Sequence, residues 1–284
     1  MPSEHETSLK IKETHMKVIA NRAKQRILNG ELALGMGLRQ ARTVDIAQIA
    51  QSCDFDWLFI DMEHNSMSVD TAAQICQAAL AVGITPMIRV PAHEAFHSTR
   101  LLDTGAQGIV IPHVSTVEQA RAVVDFCRFT PLGHRSIPGS LPQTRFMPLP
   151  VTETVSLINA ETLVVAMIET LEGRDNVDAI AAVPGIDVLL VGCTDMAAEL
   201  GVPGQLGHAS LKDTLDTVFA ACERHGKVGG VGGVYDDALM AEYIRKGARL
   251  ILSGSDLAFL MAGARSRSSM LRSISLREQT APVA

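Results

Sequence analysis

No stretch of this chain is apolar for long. The longest apolar runs, such as 163–168, fall far short of the roughly 20 residues a membrane helix needs, and the N-terminus mixes acids and bases without an apolar core. Neither a spanning nor a secretory segment is expected. Aromatic residues are scarce, with Phe 8, Tyr 2 and Trp 1, leaving little stacking surface for single-stranded nucleic acid. A basic excess is also missing. The 25 Lys and Arg face 31 Asp and Glu, and a net charge of −6 does not attract phosphate backbones, so no nucleic-acid partner is expected. The five cysteines, Cys53, Cys76, Cys127, Cys193 and Cys222, are odd in number and dispersed, without C-x-x-C or zinc spacing. That usage points to a reducing, cytoplasmic setting. Two nucleotide signatures are absent as well: no G-x-G-x-x-G follows the first strand-like run, and no G-x-x-x-x-G-K-[ST] occurs anywhere.

What is present is a large hydrophobic complement, 47% of 284 residues, arranged as short β-type runs alternating with amphipathic stretches. The runs recur eight times, at 34–38, 57–62, 85–90, 108–114, 163–170, 187–192, 228–231 and 250–253. Helix starts and stops are legible between them: Ser115-Thr116 with Glu118 and Gln119 forms a capping signal, and Gly247 follows the basic pair Arg245-Lys246. Strands apolar on both faces and each trailed by a helix must be covered on both sides. An α/β fold of the (β/α)8 TIM-barrel type accounts for the count and the length, with a doubly wound open sheet as the alternative. Residues 1–26 read as a charged, helical N-terminal extension that covers the bottom of the barrel or reaches a neighbouring subunit. Residues 27–284 read as a single barrel domain including a C-terminal helical segment. The five prolines between Thr130 and Pro150 mark a long loop, functional or interfacial.

In such a barrel the chemistry lies where strands end. The second run ends Asp61-Met62-Glu63-His64, the third ends in Arg89, the fifth in Glu169 and the sixth in Asp195. Two carboxylates on neighbouring strand tops are the usual protein contribution to Mg²⁺ or Mn²⁺. Taken singly, each residue also has a plainer reading: Asp195 as a helix N-cap, Glu169 as the ion-pair partner of Arg89, His64 as a satisfied rim histidine, Arg135 as a pin for its own loop, Cys193 as a small buried filler. The glycines between Gly229 and Gly233 read either as a phosphate loop or as close packing of the seventh strand. No lysine stands at a strand end, which argues against Schiff-base chemistry.

Four segments, Phe55 through His64, Ile88-Arg89-Val90-Pro91, Leu101 through Gly108 and Met167-Ile168-Glu169-Thr170, resemble the successive motifs of the HpcH/HpaI aldolase family. Gly192-Cys193-Thr194-Asp195-Met196 falls where that family has Gly-Pro-Ala-Asp-Leu, and the resemblance runs from about Arg26 to Arg265. It implies a barrel of the phosphoenolpyruvate/pyruvate superfamily and a class II pyruvate aldolase, which reversibly cleaves a 4-hydroxy-2-oxo acid to pyruvate and an aldehyde with a divalent cation (Mg, Mn or Co). By motif position Glu169 and Asp195 hold the metal, His64 is the acid/base and Arg89 contacts the ketone oxygen. Asp61 or Asp103 orients His64, and the backbone around Cys193, Thr194 and Asp195 receives the substrate carboxylate. A homohexamer built as a trimer of dimers is implied as well, with the apolar segment 257–261 as an exchange or docking element. Met167 stands where many members carry Gln, removing an amide from the pyruvate pocket. An oxaloacetate decarboxylase or a CoA-ester lyase on the same barrel is the alternative reaction, and a non-catalytic barrel with rim ion pairs is a third reading. The chemistry is coherent with the residues: cleavage leaves an enolate, which a Lewis acid and a guanidinium stabilise, and a histidine suits removal of the C4 hydroxyl proton near neutrality.

Overall fold

The computed structural model describes residues 17–275. Eight parallel strands, β1 (Ala33–Leu38), β2 (Trp57–Asp61), β3 (Thr85–Arg89), β4 (Gly108–Ile111), β5 (Leu163–Ile168), β6 (Val188–Gly192), β7 (Val228–Gly232) and β8 (Ala248–Ser255), close in sequence order, with β8 returning to β1. Helices alternate with them: α1 (Arg22–Leu28), α2 (Ile46–Ser52), α3 (Val69–Val82), α4 (Ala95–Asp103), α5 (Val117–Cys127), α6 (Val151–Glu161), α7 (Leu171–Asp175), α8 (Val177–Ala181), α9 (Cys193–Glu199), α10 (Ala209–Arg224), α11 (Asp237–Lys246) and α12 (Asp256–Arg272). This is the (β/α)8 TIM barrel expected. Among the described residues no helix is long and apolar enough to cross a membrane.

Two apolar layers hold the barrel. Inward-pointing side chains, among them Trp57, Phe59, Met87, Val110, Val165, Leu190 and Leu250, fill its interior, while alternate residues such as Leu58, Ile60, Ile88, Ile109 and Val191 pack outward under the helices. This two-sided burial explains the unbroken apolar runs in the sequence. The helix starts are as legible as expected: Thr116 and Gln119 form a reciprocal capping box, Asp236 caps α11, and Gly247 ends it.

The bottom of the barrel is closed by α1. Asn21 caps that helix by accepting the Lys24 N–H and donates from its amide to the carbonyls of Gln107 and Glu161, at the feet of β4 and β5. Thr85, which opens β3, donates to Asn21 and accepts from the Ala23 N–H. Ala23 and Ile27 then join the interior layer. The boundary expected after residue 26 therefore falls inside a helix that belongs to the barrel; residues 1–16 of the expected extension lie outside the described residues.

Strand ends differ by a few residues, for local reasons. β4 stops at Ile111 because Pro112 offers no N–H to the ladder. β5 stops at Ile168, and Thr170 turns away to cap α7 by accepting the Gly173 N–H. The segment 130–150 is a loop containing one short 3-10 turn, Pro142–Thr144. Arg135 pins it, donating to Asp103 at 2.6 Å and stacking 4.5 Å from the Phe129 ring. Residues 229–232 form β7 itself, with Phe219 of α10 packed against it, so the close-packing reading of the glycines holds.

The inward Trp57 imposes a strict demand on its neighbour across the ladder, Gly35, because a Cβ there would overlap the indole ring. Gly35→Ala is expected to destabilise the fold by about 1–3 kcal/mol, lowering the thermal midpoint by several degrees in a calorimetric scan. Gly263→Ala, in α12 with open space around the added methyl, is expected to leave the midpoint unchanged or raise it slightly.

Candidate active site

Strand register assembles the first pair. Asp61 and Arg89 are directly opposed at the ends of β2 and β3, and the buried Asp61 carboxylate accepts Arg89 Nε at 3.0 Å and Nη2 at 2.7 Å. Such a bidentate fork fixes the guanidinium in one orientation. Asp61 Oδ1 also accepts the backbone N–H groups of Glu63 at 3.1 Å and His64 at 3.2 Å, shaping the turn that leaves β2. Burial pushes the Asp61 carboxyl up, but the Arg89 hydrogen bonds and charge, with the His64 N–H and Arg39, outweigh it and hold it below the usual carboxylate range. The remaining edge of Arg89 faces Glu63, whose Oε2 lies 3.0 Å from Nη1.

On the opposite wall Glu169 follows β5 directly and is almost fully buried. Its Oε1 accepts the His113 N–H at 2.8 Å and lies 3.3 Å from His113 Nδ1. His113, just beyond β4, holds a left-handed backbone conformation with φ 51° that aims this N–H at the carboxylate. Glu169 Oε2 is buried with no hydrogen-bond partner. Gly192, the last residue of β6, makes room for that oxygen, since a Cβ there would collide with it. Burial raises the Glu169 carboxyl; the His113 N–H and ring oppose this, and the charges of Asp195 and Glu63 reinforce it.

Asp195 lies in the first turn of α9, whose N-terminus at Gly192 has no side-chain cap. The N-cap reading of Asp195 is therefore replaced by one in which its exposed carboxylate faces the mouth. Arg39, His64, Arg89, Met167, Thr194 and Asp195 are among the residues lining a cavity of about 290 Å³ there. Cys193 also borders it, but burial pushes its thiol up to about 12 and the thiol donates to the Val191 carbonyl at 3.8 Å. It is a filler.

The donor set fits a divalent cation. Glu169 offers an unpartnered buried oxygen, Asp195 stands close enough to raise its proton affinity, and Oε2 has lost solvent without gaining a partner. Among the described residues no group of three or more His, Cys, Asp or Glu is placed to hold a metal ion by itself. Two protein carboxylates with water and substrate oxygens completing the shell are what Mg²⁺-type sites use.

Most residues expected from the sequence meet at this mouth, with three differences. Asp103 is the last residue of α4, on the way down to Gln107 at the foot of β4, and it pairs with Arg135; within one chain it lies at the far end from His64 and does not orient it. Asp61 holds the His64 backbone, whereas the acid nearest the imidazole is Glu63, 3.7 Å from Nε2. Arg89 pairs with Asp61 and Glu63 instead of Glu169, because register sets β3 against β2. Three residues of the mouth carried no role in the sequence reading. Glu63 stands between two that did, Arg39 follows β1 directly, and His113 gave no signal because a backbone conformation is not written in its residue type.

Comparison with known proteins agrees in fold and family. The family model described as HpcH/HpaI aldolase/citrate lyase matches residues 39–262. The chain is 38% identical over 263 residues to a 4-hydroxy-4-methyl-2-oxoglutarate aldolase of Hapsidospora irregularis, covering 91% of this chain and 96% of that protein. It is 35% identical over 210 residues to a 5-keto-4-deoxy-D-glucarate aldolase of Salmonella arizonae, covering 74% and 80%. Among solved structures, the HpcH/HpaI aldolase from Desulfitobacterium hafniense superposes with a TM-score of 0.84 at 29% identity, covering 89% and 97%.

The raised Glu169 carboxyl carries a sign that can be measured. A buried acid whose folded pKa lies above its unfolded value costs stability once pH exceeds the unfolded value, and the cost is complete above the folded one. Glu169→Gln removes that charge and keeps an acceptor for the His113 N–H. The variant is expected to melt at or above the wild-type temperature at neutral pH without metal, while losing the stabilisation that Mg²⁺ or Mn²⁺ confers on wild type. Thermal scans with and without metal check both. A variant still stabilised fully by metal would remove Glu169 from the ligand set.

Proposed function

The chain belongs to the HpcH/HpaI aldolase/citrate lyase family and is a carbon–carbon lyase; we propose that its reaction is the reversible cleavage of a 4-hydroxy-2-oxo acid to pyruvate and an aldehyde, with a divalent cation held by Glu169 and Asp195. The observation that carries this reading is the buried Glu169 oxygen, unpartnered among the described residues and packed against Gly192, within electrostatic reach of Asp195, whose cavity Arg89 also lines. When bound, Mg²⁺, Mn²⁺ or Co²⁺ would supply Lewis acidity to the substrate's ketone and carboxylate oxygens.

The protein's own groups divide the remaining work. Arg89, buried and gripped by Asp61, lines the cavity and stabilises the negative charge that develops on the C2 oxygen as the C3–C4 bond breaks. Because the fork to Asp61 is formed in advance, little reorganisation accompanies the reaction. His64, half-exposed at the mouth with Glu63 Oε2 3.7 Å from its Nε2, takes the C4 hydroxyl proton. The backbone amides of Cys193, Thr194 and Asp195, uncapped at the start of α9, receive the substrate carboxylate. Met167 lines the same space with a thioether in place of an amide. A cavity of about 290 Å³ sits at the small end of ligand sites, about 300–1,000 Å³, and suits short 2-oxo acids better than CoA esters. Oxaloacetate decarboxylation passes through the same enolate and is compatible with the same groups. The dispersed free cysteines, four of them buried, fit a reducing cytoplasmic setting.

Assembly is part of the proposal. No described residue of α12 is buried, yet it carries Leu257, Phe259, Leu260, Met261, Met270 and Leu271. Such a face fits a contact between copies, in a homohexamer arranged as a trimer of dimers. Light scattering is expected to give a multiple of the 30.4 kDa chain mass; a monomer at micromolar concentration would remove the assembly.

Pyruvate in D₂O with Mg²⁺ or Mn²⁺ tests the reaction without knowledge of the aldehyde: methyl-proton exchange, followed by NMR, reports enolate formation. Arg89→Ala is expected to abolish exchange, oxaloacetate decarboxylation and aldol cleavage together. His64→Ala is expected to slow aldol cleavage about a hundredfold or more while sparing much of the decarboxylation, which removes no hydroxyl proton. Equal loss of both reactions in His64→Ala would assign the imidazole to the enolate instead.

A further inference from the structure

Arg39 stands outside the reacting groups, yet it lines the same cavity. It directly follows β1, the strand bonded to β2, which delivers Asp61 and the turn to His64. Its backbone is held hard: the N–H groups of Arg39, Gln40 and Ala41 all donate to the Asp256 carboxylate, at 2.7, 2.9 and 2.6 Å, so the loop leaving β1 is tied to the start of α12. The side chain, in contrast, is held weakly. Its guanidinium is 43% exposed, and its contact with a carboxylate is 3.6 Å from Nη2 to Asp61 Oδ2. That acceptor is already taken by Arg89 at 2.7 Å, and Asp61 Oδ1 by three further donors. Asp61 therefore has little need of Arg39, and a long, exposed contact of this kind adds little stability.

A rigidly anchored arginine whose planar fork is unspent at the rim of a small-acid cavity is suited to bidentate capture of a carboxylate. Position decides which carboxylate. The groups assigned to the pyruvyl half, Glu169, Asp195 and the amides of α9, come from β5 and β6, and His64 at the end of β2 faces C4. The next strand in that direction is β1. Among the residues lining the cavity the cationic side chains are Arg89, already gripped by Asp61, and Arg39. We propose that Arg39 binds a second carboxylate, carried on the carbonyl fragment released from C4, so that the enzyme selects 4-hydroxy-2-oxo diacids over monoacids of the same length. This rests on the aldol-cleavage reading above, because it uses that reading's placement of C1 to C4.

Inert analogues separate the two. With Mg²⁺ present, calorimetric titration with 2-oxoglutarate, a 2-oxo diacid, is compared with 2-oxopentanoate, a monoacid of the same length, on wild type, Arg39→Ala and Arg39→Lys. Wild type is expected to bind the diacid about tenfold or more tightly than the monoacid, the scale of a charge-assisted hydrogen-bonded pair. Arg39→Ala is expected to reduce that ratio to within about threefold, and Arg39→Lys to recover part of it, because a point charge replaces the fork. No diacid preference in wild type, or a preference that survives in Arg39→Ala, overturns the assignment. So does an equal loss of affinity for both acids in Arg39→Ala, which would mark a structural role. Methyl exchange of pyruvate by wild type reports the cleavage reading separately: exchange without diacid preference removes only the role of Arg39, whereas an Arg39-dependent diacid preference without exchange removes the cleavage reaction and leaves a diacid site.

Discussion

Four carboxylates, Asp61, Glu63, Glu169 and Asp195, crowd the mouth of this barrel, and the buried Arg89 guanidinium makes that crowding tolerable on one side. Its fork neutralises Asp61 and faces Glu63, so two acids are compensated without metal. Among the described residues Glu169 and Asp195 have no such arginine partner. Burial and mutual repulsion raise the proton affinity of Glu169, and His113 offsets only part of it through one backbone N–H and a half-exposed ring. The site is thus divided into a side finished by the protein and a side that the cation of the proposed reaction would complete.

The division follows from strand geometry. A parallel barrel delivers every strand to the same rim, and the register of adjacent strands sets which residues meet there: Asp61 opposes Arg89 because β2 and β3 pair from Trp57 and Thr85 onward. The opposite end is committed to stability, with α1 sealed to the feet of β3, β4 and β5 through Asn21 and Thr85. Keeping the polar network of the bottom separate from the charges of the top lets the rim vary while the barrel stays closed.

Chemistry at the rim then depends on what is fixed and what is left open. Arg89 and Glu169 are buried, and a group that stabilises developing charge acts best when held in advance. His64, Asp195, Thr194 and Arg39 are exposed, where substrate and solvent reach them. Under the proposed reaction Arg89, Glu169, Asp195 and the first amides of α9 would serve the pyruvyl atoms that such substrates share, whereas His64 and Arg39 would face the part in which they differ.

The alternation of apolar runs and capped helices was enough to specify the barrel, because burial on both faces of every strand writes itself into hydrophobicity. The strand-end residues Asp61, His64, Arg89, Glu169 and Asp195 were legible for the same reason: a charge that closes an apolar strand has few other places to go. What tertiary structure alone decided is which of them meet. Pairing of Arg89 with Asp61 and Glu63, and not with Glu169, depends on register between segments about 28 residues apart; the removal of Asp103 to the far end of the barrel depends on the direction in which α4 descends. The reach of His113 toward Glu169 depends on a left-handed backbone conformation, and the freedom of Arg39 on the prior occupation of Asp61. Those outcomes arise from long-range packing and competition for acceptors, which no local stretch of residues encodes.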